Sequence, residues 1–373
     1  MTTHAPLPPS SAARIVACAG SRKMAELYPE EDTIDTQEGE AAHWAGAELI
    51  RGEQVAVGQV AANGVTLTAE MVEAAEDYAS YIIKRDRVPC QAHIEEHVAS
   101  GALHPENYGT PDYWMYSKSD HHLFIDDFKY GHGFVNEVCN WQLINYVALV
   151  ARKLAPWVFE DDALKVTMTI HQPRSYHRRG PHRSVTVRLG ELRPYFATLA
   201  NAFVEAMKPD APVTASDPDE CLKCTGRVYC EAAIAAEYWG VDMAYDSTPL
   251  IMSPAALSKE YRTLLRAEKM IKARREGIAE SIKSTIRRGT AVPFFGIAHS
   301  KGRTVWKPDA IEQGIVEIGQ AYGAQVEKPA LITPLQAIKA GIPEDVVKLY
   351  SDTPSGSAEL VEEDGNEAAR VFG

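Results

Sequence analysis

Between Gly109 and Tyr146 the chain gathers side chains that could act on a phosphodiester. Asp112 follows Gly109-Thr110-Pro111, Asp127 and Lys129 form D-x-K, and Gln142 and Tyr146 form Q-x-x-x-Y. Two carboxylates offer hard oxygen ligands for Mg²⁺ or Mn²⁺ and leave positions for water and phosphate. The ion makes hydroxide available near neutral pH, and a lysine can orient the attacking water or offset developing charge. An isolated D-x-K is more simply an edge-strand salt bridge between Asp127 and Lys129. Here it stands in order with the two flanking motifs, which favours chemistry.

The elements that must position these groups can be read locally. Trp114, Met115 and Tyr116 end one β-favouring run, Ser117-Lys118-Ser119-Asp120 supplies a turn, and Leu123-Phe124-Ile125 begins a second strand. Alternation puts Leu123, Ile125, Asp127 and Lys129 on one face. Asp126 precedes Asp127, so a slip of one residue would exchange the two carboxylates. Gln142 and Tyr146 share a face of the helix that follows, which continues through Trp141–Leu154. Ala163–Gln172 alternates as a further strand ended by Pro173, giving a βαβ-like crossover in a mixed sheet flanked by helices.

Upstream, residues 1–10 read as a mobile Pro-containing arm, and Ser11–Tyr28 as helical with a break near Cys18. A helix opening at Glu38 carries His43 among small residues. Thr68–Arg85 is amphipathic with Thr68 as its cap. Val88–Val98 is expected to be a strand, on which Glu95 and Glu96 read more simply as surface residues than as ligands.

Downstream, Leu189–Ala206 is helical. Ser253–Arg288 is a long helix with Leu257, Leu264, Ile271 and Ile278 at seven-residue spacing along its seam. Ala291–Lys307 reads as a hairpin turning at Ser300-Lys301-Gly302. Two short helices are expected around Pro308–Tyr322 and Thr333–Ala340, and residues 352–373 read as an acidic disordered tail. The expected organisation is therefore an arm (1–10), a core (11–240), an α-rich C-terminal extension (250–350) and the tail.

Cys221, Cys224 and Cys230 are spaced C-x2-C-x5-C, and three thiolates need a fourth partner for a zinc or iron–sulfur site. Cys18 is the distant candidate, whereas Cys90 and Cys139 lack ligand spacing and read as buried thiols. The 373-residue chain has 45% hydrophobic and 24% charged residues, an ordinary globular composition with no run long enough to span a membrane. Its start has no basic and apolar leader, which points to the cytoplasm. The net charge of −13 argues against a generally basic nucleic-acid binder. Arg174, Arg178, Arg179 and Arg183 nonetheless lie in one arginine-rich stretch that could guide a DNA strand. A solvated loop is the alternative.

The G-T-x-D, D-x-K and Q-x-x-x-Y motifs together resemble the PD-(D/E)xK nuclease superfamily in its RecB-like branch. Gly39 and His43 match that branch's G-x-x-x-H helix. One cysteine before the motifs and three after them resembles its iron–sulfur exonucleases, and the order of elements over roughly residues 11–350 is similar to uncharacterised phage and prophage nucleases. The resemblance implies a restriction-endonuclease-like α/β core, and a metal held by His43, Asp112, Asp127 and the Phe128 carbonyl. Asp112, Asp127, Lys129, Gln142 and Tyr146 would form the catalytic set. A [4Fe–4S] cluster on Cys18, Cys221, Cys224 and Cys230 is implied, with zinc as the alternative. The expected function is a DNA exonuclease that processes ends for phage recombination or replication in the host cytoplasm, with DNA and a phage recombination protein as the expected partners. The alternatives are a catalytically weak DNA-binding adaptor and a zinc-knot structural phage protein.

Overall fold

The structure is a computed structural model. It describes residues 5–29, 33–86, 92–175, 177–245, 253–301, 305–307, 312–324, 326–328, 330–331, 333–352 and 355–362. The chain forms two compact units, Met1–Arg274 and Arg275–Gly373.

The first unit begins with α1 (Ala12–Ala17), α2 (Ser21–Leu27), α3 (Ile34–Arg51) and α4 (Ala69–Asp86). Next come β1 (Ala92–Ile94), β2 (Tyr113–Ser117), β3 (His122–Phe128), α5 (Trp141–Leu154), α6 (Pro156–Phe159), β4 (Lys165–His171) and β5 (His182–Arg188). It continues with α7 (Arg193–Ala206), α8 (Pro218–Leu222), α9 (Glu231–Tyr245) and the first part of α10 (Pro254–Arg287). The five strands form one mixed sheet in the order β1-β2-β3-β4-β5. β3 and β4 are parallel through the α5 crossover, and the other pairs are antiparallel.

Strand alternation assigns the two faces. Leu123 and Ile125 of β3 and Val166, Met168 and Ile170 of β4 pack with Leu143, Val147 and Val150 of α5 and Phe196, Leu199 and Phe203 of α7. Tyr113 and Phe128 face the other way, onto Ala41, Ala42 and Ala45 of α3 and Met71, Ala75 and Tyr78 of α4. The α3–α4 contact depends on Gly46, where a Cβ would lie 2.9 Å from the Tyr78 ring. Helix ends follow their caps: the Thr33 side chain accepts from Thr36 N–H, and Asn140 accepts from Leu143 N–H.

The register of β3 settles which aspartate faces which way. Asp126 points to the α4 side, where Arg85 donates to both its oxygens at 2.8 and 2.9 Å and His171 Nε2 lies 2.9 Å away. Asp127 therefore takes the α5 side with Leu123 and Ile125. A slip would strand the Arg85 guanidinium, so this buried pair locks the register.

Several local expectations change. Residues 5–10 are packed: Leu7 is buried, its carbonyl accepts from Asn107 Nδ2 at 2.7 Å, and Pro9 abuts Gly109. Residues 1–4 lie outside the described set, as do 87–91, so the strand expected over Val88–Val98 is seen as Ala92–Ile94. Along α10 the buried positions among those described are Ala267, Met270, Ala273 and Gly277, while Leu257, Leu264, Ile271 and Ile278 are exposed. Small side chains let the segment bearing Arg227 close on the helix, with Arg227 Nε donating to the Ala273 carbonyl at 3.2 Å.

In the second unit, β6 (Phe295–Lys301) pairs with the late strand Ser355–Glu362, and β7 (Val305–Trp306) with Ser351–Asp352. The expected hairpin is thus replaced by two long-range pairings, and part of the expected disordered tail is a strand. Residues 363–373 lie outside the described set. α11 (Glu312–Ala321), the pair β8 (Glu327–Lys328) and β9 (Ala330–Leu331), α12 (Pro334–Lys339) and α13 (Glu344–Tyr350) precede those strands, which are β10 and β11. Ile315, Val326, Ala337, Ile342 and Val347 form their small core.

Candidate active site

Asp112 sits immediately before β2 and Lys129 immediately after β3, so the antiparallel pairing brings the two together at one end of the sheet. Asp112 Oδ2 accepts the Phe128 N–H at 2.6 Å, which closes the strand end beneath it. The Phe128 carbonyl follows Asp127 directly along this edge. α5 begins beside it and supplies Gln142, whose Nε2 donates to Asp127 Oδ1 at 2.9 Å while its Oε1 accepts from Lys129 Nζ at 3.1 Å. Lys129 Nζ also lies 2.9 Å from Asp127 Oδ2. Asp127, Lys129 and Gln142 are thus one interlocked triangle. Tyr146, one turn later, donates instead to the Thr110 carbonyl at 3.0 Å and so braces the segment leading to Asp112.

α3 brings His43 to the same place, with Nδ1 3.2 Å from Asp112 Oδ1 and 3.9 Å from Glu95 Oε1. Among the described residues, His43, Glu95 and Asp112 are the one group whose ligand atoms all lie within 4.8 Å of one another. Glu95 is a site residue that sequence reasoning set aside as surface. It follows β1 in the left-handed region, with φ 51°, and its N–H donates to the Asp112 carbonyl at 3.0 Å. A short strand followed by a turn leaves no alternation from which to read its direction.

The charges interact strongly. Burial and the neighbouring Asp112 push the Glu95 pKa up to about 8. Burial pulls His43 down, but the Asp112 carboxylate outweighs it and raises the imidazole to about 9. Burial also raises Asp127, with Asp112 adding repulsion that Lys129 only partly relieves. Asp112 is held below its ordinary value because His43 and Lys129 overcome its burial. Lys129 likewise stays a cation, since Asp127 and Asp112 overcome its desolvation. Asp127 Oδ2 is buried and makes no hydrogen bond of good geometry, despite the nearby ammonium. A buried carboxylate paired with an ammonium, beside a His-carboxylate group, is a donor set that fits a hard divalent cation.

The four cysteines also converge. Cys18, Cys221, Cys224 and Cys230 line a single cavity with Arg14, Met24, Asp217 and Arg227. Cys18 is brought there by stitching between the break after α1 and the irregular segment before α8. Thr214 N–H donates to Cys18 Sγ at 3.3 Å, Ser216 Oγ to the Ala17 carbonyl at 2.7 Å, and Gly20 N–H to the Pro212 carbonyl at 2.9 Å. At Gly20 a Cβ would lie 2.7 Å from Val213, so only glycine permits this approach. All four thiols are unbridged. Burial and the other three sulfurs push Cys221 up to about 12. The donor set therefore suits a thiolate-bound metal centre. Cys139, expected to be buried, is exposed beside Tyr195, and Cys90 lies outside the described residues.

The arginine stretch divides. Arg183 is 1% exposed, so it cannot track a strand. Its Nη2 donates to the Val135 carbonyl at 2.7 Å and to Gln172 Oε1 at 3.0 Å, and its Nε to Glu137 Oε2 at 3.3 Å. Arg179 also pairs with Glu137, and Arg174 with Glu70 at 2.8 Å. Arg178 is exposed, and no partner is seen for it among the described residues. Arginine reads as surface in sequence, but a buried glutamate recruits it inward. Arg183→Ala should lower unfolding free energy by about 3 kcal/mol in urea titration, the low end for a broken buried pair because Arg179 still neutralises Glu137. A loss within a few tenths would mean the pair is effectively solvated.

No helix among the described residues is long and apolar enough to cross a membrane. Residues 4–366 match the family described as "Protein of unknown function (DUF2800)", and with nearly the whole chain covered the protein belongs to that family.

Proposed function

We propose that the protein is a metal-dependent DNA exonuclease of the RecB-like PD-(D/E)xK type. The observation that carries this reading is the meeting of Asp112, Asp127 and Lys129 at one sheet end with His43 and Glu95 alongside. His43, Glu95, Asp112, Asp127 and the Phe128 carbonyl would hold Mg²⁺ or Mn²⁺. The ion would supply an acidified water and a counter-charge for phosphate oxygens. Lys129, kept protonated by its two carboxylates, offsets the charge that develops on phosphate and orients the incoming water. Gln142 fixes the lysine against Asp127, and Tyr146 holds the Asp112 segment in place.

Cys18, Cys221, Cys224 and Cys230 would hold a [4Fe–4S] cluster that ties the start of the core to its end. Sulfurs around a single zinc stand about 3.8 Å apart, given Zn–S bonds of about 2.3 Å. The same four thiolates would also hold that smaller ion, and colour with metal content distinguishes the two. DNA ends are the proposed substrate, and phage recombination or replication the proposed setting. Incubating end-labelled DNA with Mn²⁺ tests the reading: stepwise release from an end supports it, and intact label over a full range of ends and metals overturns it.

Metal binding carries its own signature. Without an ion, His43 and Glu95 hold protons at neutral pH, and coordination must displace them. Mn²⁺ affinity should therefore rise as pH goes from 7 to about 9, with proton release seen by calorimetry in buffers of different ionisation enthalpy. Affinity that is flat with pH would remove these two residues from the ligand set.

A further inference from the structure

The loop between Lys129 and Gln142 is built differently from an ordinary connection. Its apex carries Phe134, which is 54% exposed, flanked by the exposed Gly131, His132 and Gly133. Beneath that apex the loop is held by buried polar groups. Gln172 Nε2 donates to the carbonyls of Gly131 at 3.0 Å and Gly133 at 2.6 Å, and its Oε1 accepts from Val135 N–H at 3.1 Å. The buried Arg183 guanidinium lies 4.9 Å from the Phe134 ring centroid and reaches Val135 and Glu137. His177, from the loop between β4 and β5, stacks on Phe134 at 5.5 Å with 20° between the rings. Buried glutamine and arginine side chains thus fix in one conformation a loop whose tip presents an aromatic ring to solvent.

Core packing does not explain this arrangement, because the ring it orients is outside the core. The surroundings name an occupant. Phe134 and His177 offer π-faces, while Arg178 and Arg179 bring positive charge to the same pair of loops, and Glu137, the one acid in the sequence of these two loops, is buried and already paired. Flat aromatic faces beside the exposed Arg178 and an Arg179 that shares Glu137 with Arg183 suit an unpaired base with its phosphate, since every base has a π-face and each phosphate a negative charge. The loop also leaves β3 at Lys129 and returns into the helix that carries Gln142, so its ends are anchored in the candidate active site.

We propose that Phe134, backed by His177, is a nucleobase-stacking subsite that receives an unpaired base of a single-stranded DNA end entering the active site. The proposal rests on the nuclease reading and deepens it, by assigning single-stranded ends as the favoured substrate class. Arg178 and Arg179 contact the adjoining phosphates. Arg183 acts from beneath as a positioning residue for the loop.

The test measures binding of labelled oligonucleotides to the full chain by anisotropy, with Ca²⁺ replacing Mg²⁺ to slow cleavage. Phe134→Ala and Phe134→Leu should weaken single-strand binding by about 5- to 150-fold, the range expected for losing one base–aromatic stack, and Phe134→Trp should retain it. Blunt duplex affinity should be unchanged. Thermal unfolding should also be unchanged, because the ring is exposed. An abasic site moved along the oligonucleotide should weaken the wild type at one position, and the same site should have no further effect on Phe134→Ala, because the partner is already gone. Wild-type binding by Phe134→Leu, or additive losses in the abasic series, would overturn the subsite. If the wild type cuts DNA and the variants match it, the subsite alone falls. If the wild type neither binds nor cuts any DNA, the nuclease reading falls and takes the subsite with it.

Discussion

Asp127→Asn should abolish divalent-dependent DNA cleavage, lowering the rate by about 10²–10³-fold or more, without loss of folded protein. The carboxylate is buried, and its ionised form is disfavoured by burial and by Asp112. An amide of the same shape keeps a polar partner for Gln142 and removes that repulsion. Thermal stability in the absence of metal should therefore stay level or rise, the usual trade-off at a strained site. Lys129→Ala should lose activity on a similar scale but behave oppositely in stability. It leaves Asp112 and Asp127 facing each other without the cation that now relieves them. Opposite signs in the two unfolding curves, alongside matched losses of cleavage, would be hard to obtain from a merely structural salt bridge.

The second large effect belongs to the cysteines. Cys18→Ser should reduce stability first and activity second, because metal–thiolate energy is also folding energy, about 10–16 kcal/mol for a structural zinc taken as a scale. Cys18 is joined to the other three across most of the first unit, so the centre would close a long loop and restrict the unfolded chain. Purified without oxygen, the wild type should be brown with broad absorbance near ~400 nm, as thiolate-bound iron–sulfur centres are. Cys18→Ser should be pale and unfold at markedly lower temperature, whereas Cys139→Ser, altering an exposed thiol, should change neither property. A colourless wild type carrying one equivalent of zinc would replace the cluster with a tetrathiolate site.

Much of the candidate site was legible because its signals are local. G-T-x-D, D-x-K and Q-x-x-x-Y each sit within a few residues, and strand alternation correctly directs Asp127 to the α5 face. The choice between Asp126 and Asp127 needed more than alternation: it is settled by Arg85 and His171, which lie far away in sequence. Glu95 escaped because a left-handed turn residue has no periodicity to read. Arg183 was misread because its inward pull comes from Glu137, a residue whose burial only the fold reveals.

Distant partners also shape the C-terminal unit. Ala291–Lys307 has the turn residues of a hairpin, but Phe295–Lys301 finds its partner in Ser355–Glu362, and local propensity carries no information about such a distant strand. The seven-residue spacing on α10 suggested a packed seam. Its buried positions are instead Ala267, Met270, Ala273 and Gly277, of which the alanines and the glycine permit close approach.

The central claim is that Asp112, Asp127 and Lys129 form a hydrolytic metal centre rather than a structural ion-pair network. It is tested most directly by following release of end label from single- and double-stranded DNA in Mn²⁺, in EDTA, and with Asp127→Asn in place of the wild type. Wild-type cleavage that starts at an end, stops in EDTA and falls at least about 10²-fold in Asp127→Asn is the predicted result. Asp127→Asn cutting at the wild-type rate, or cleavage that persists unchanged in EDTA, would contradict it.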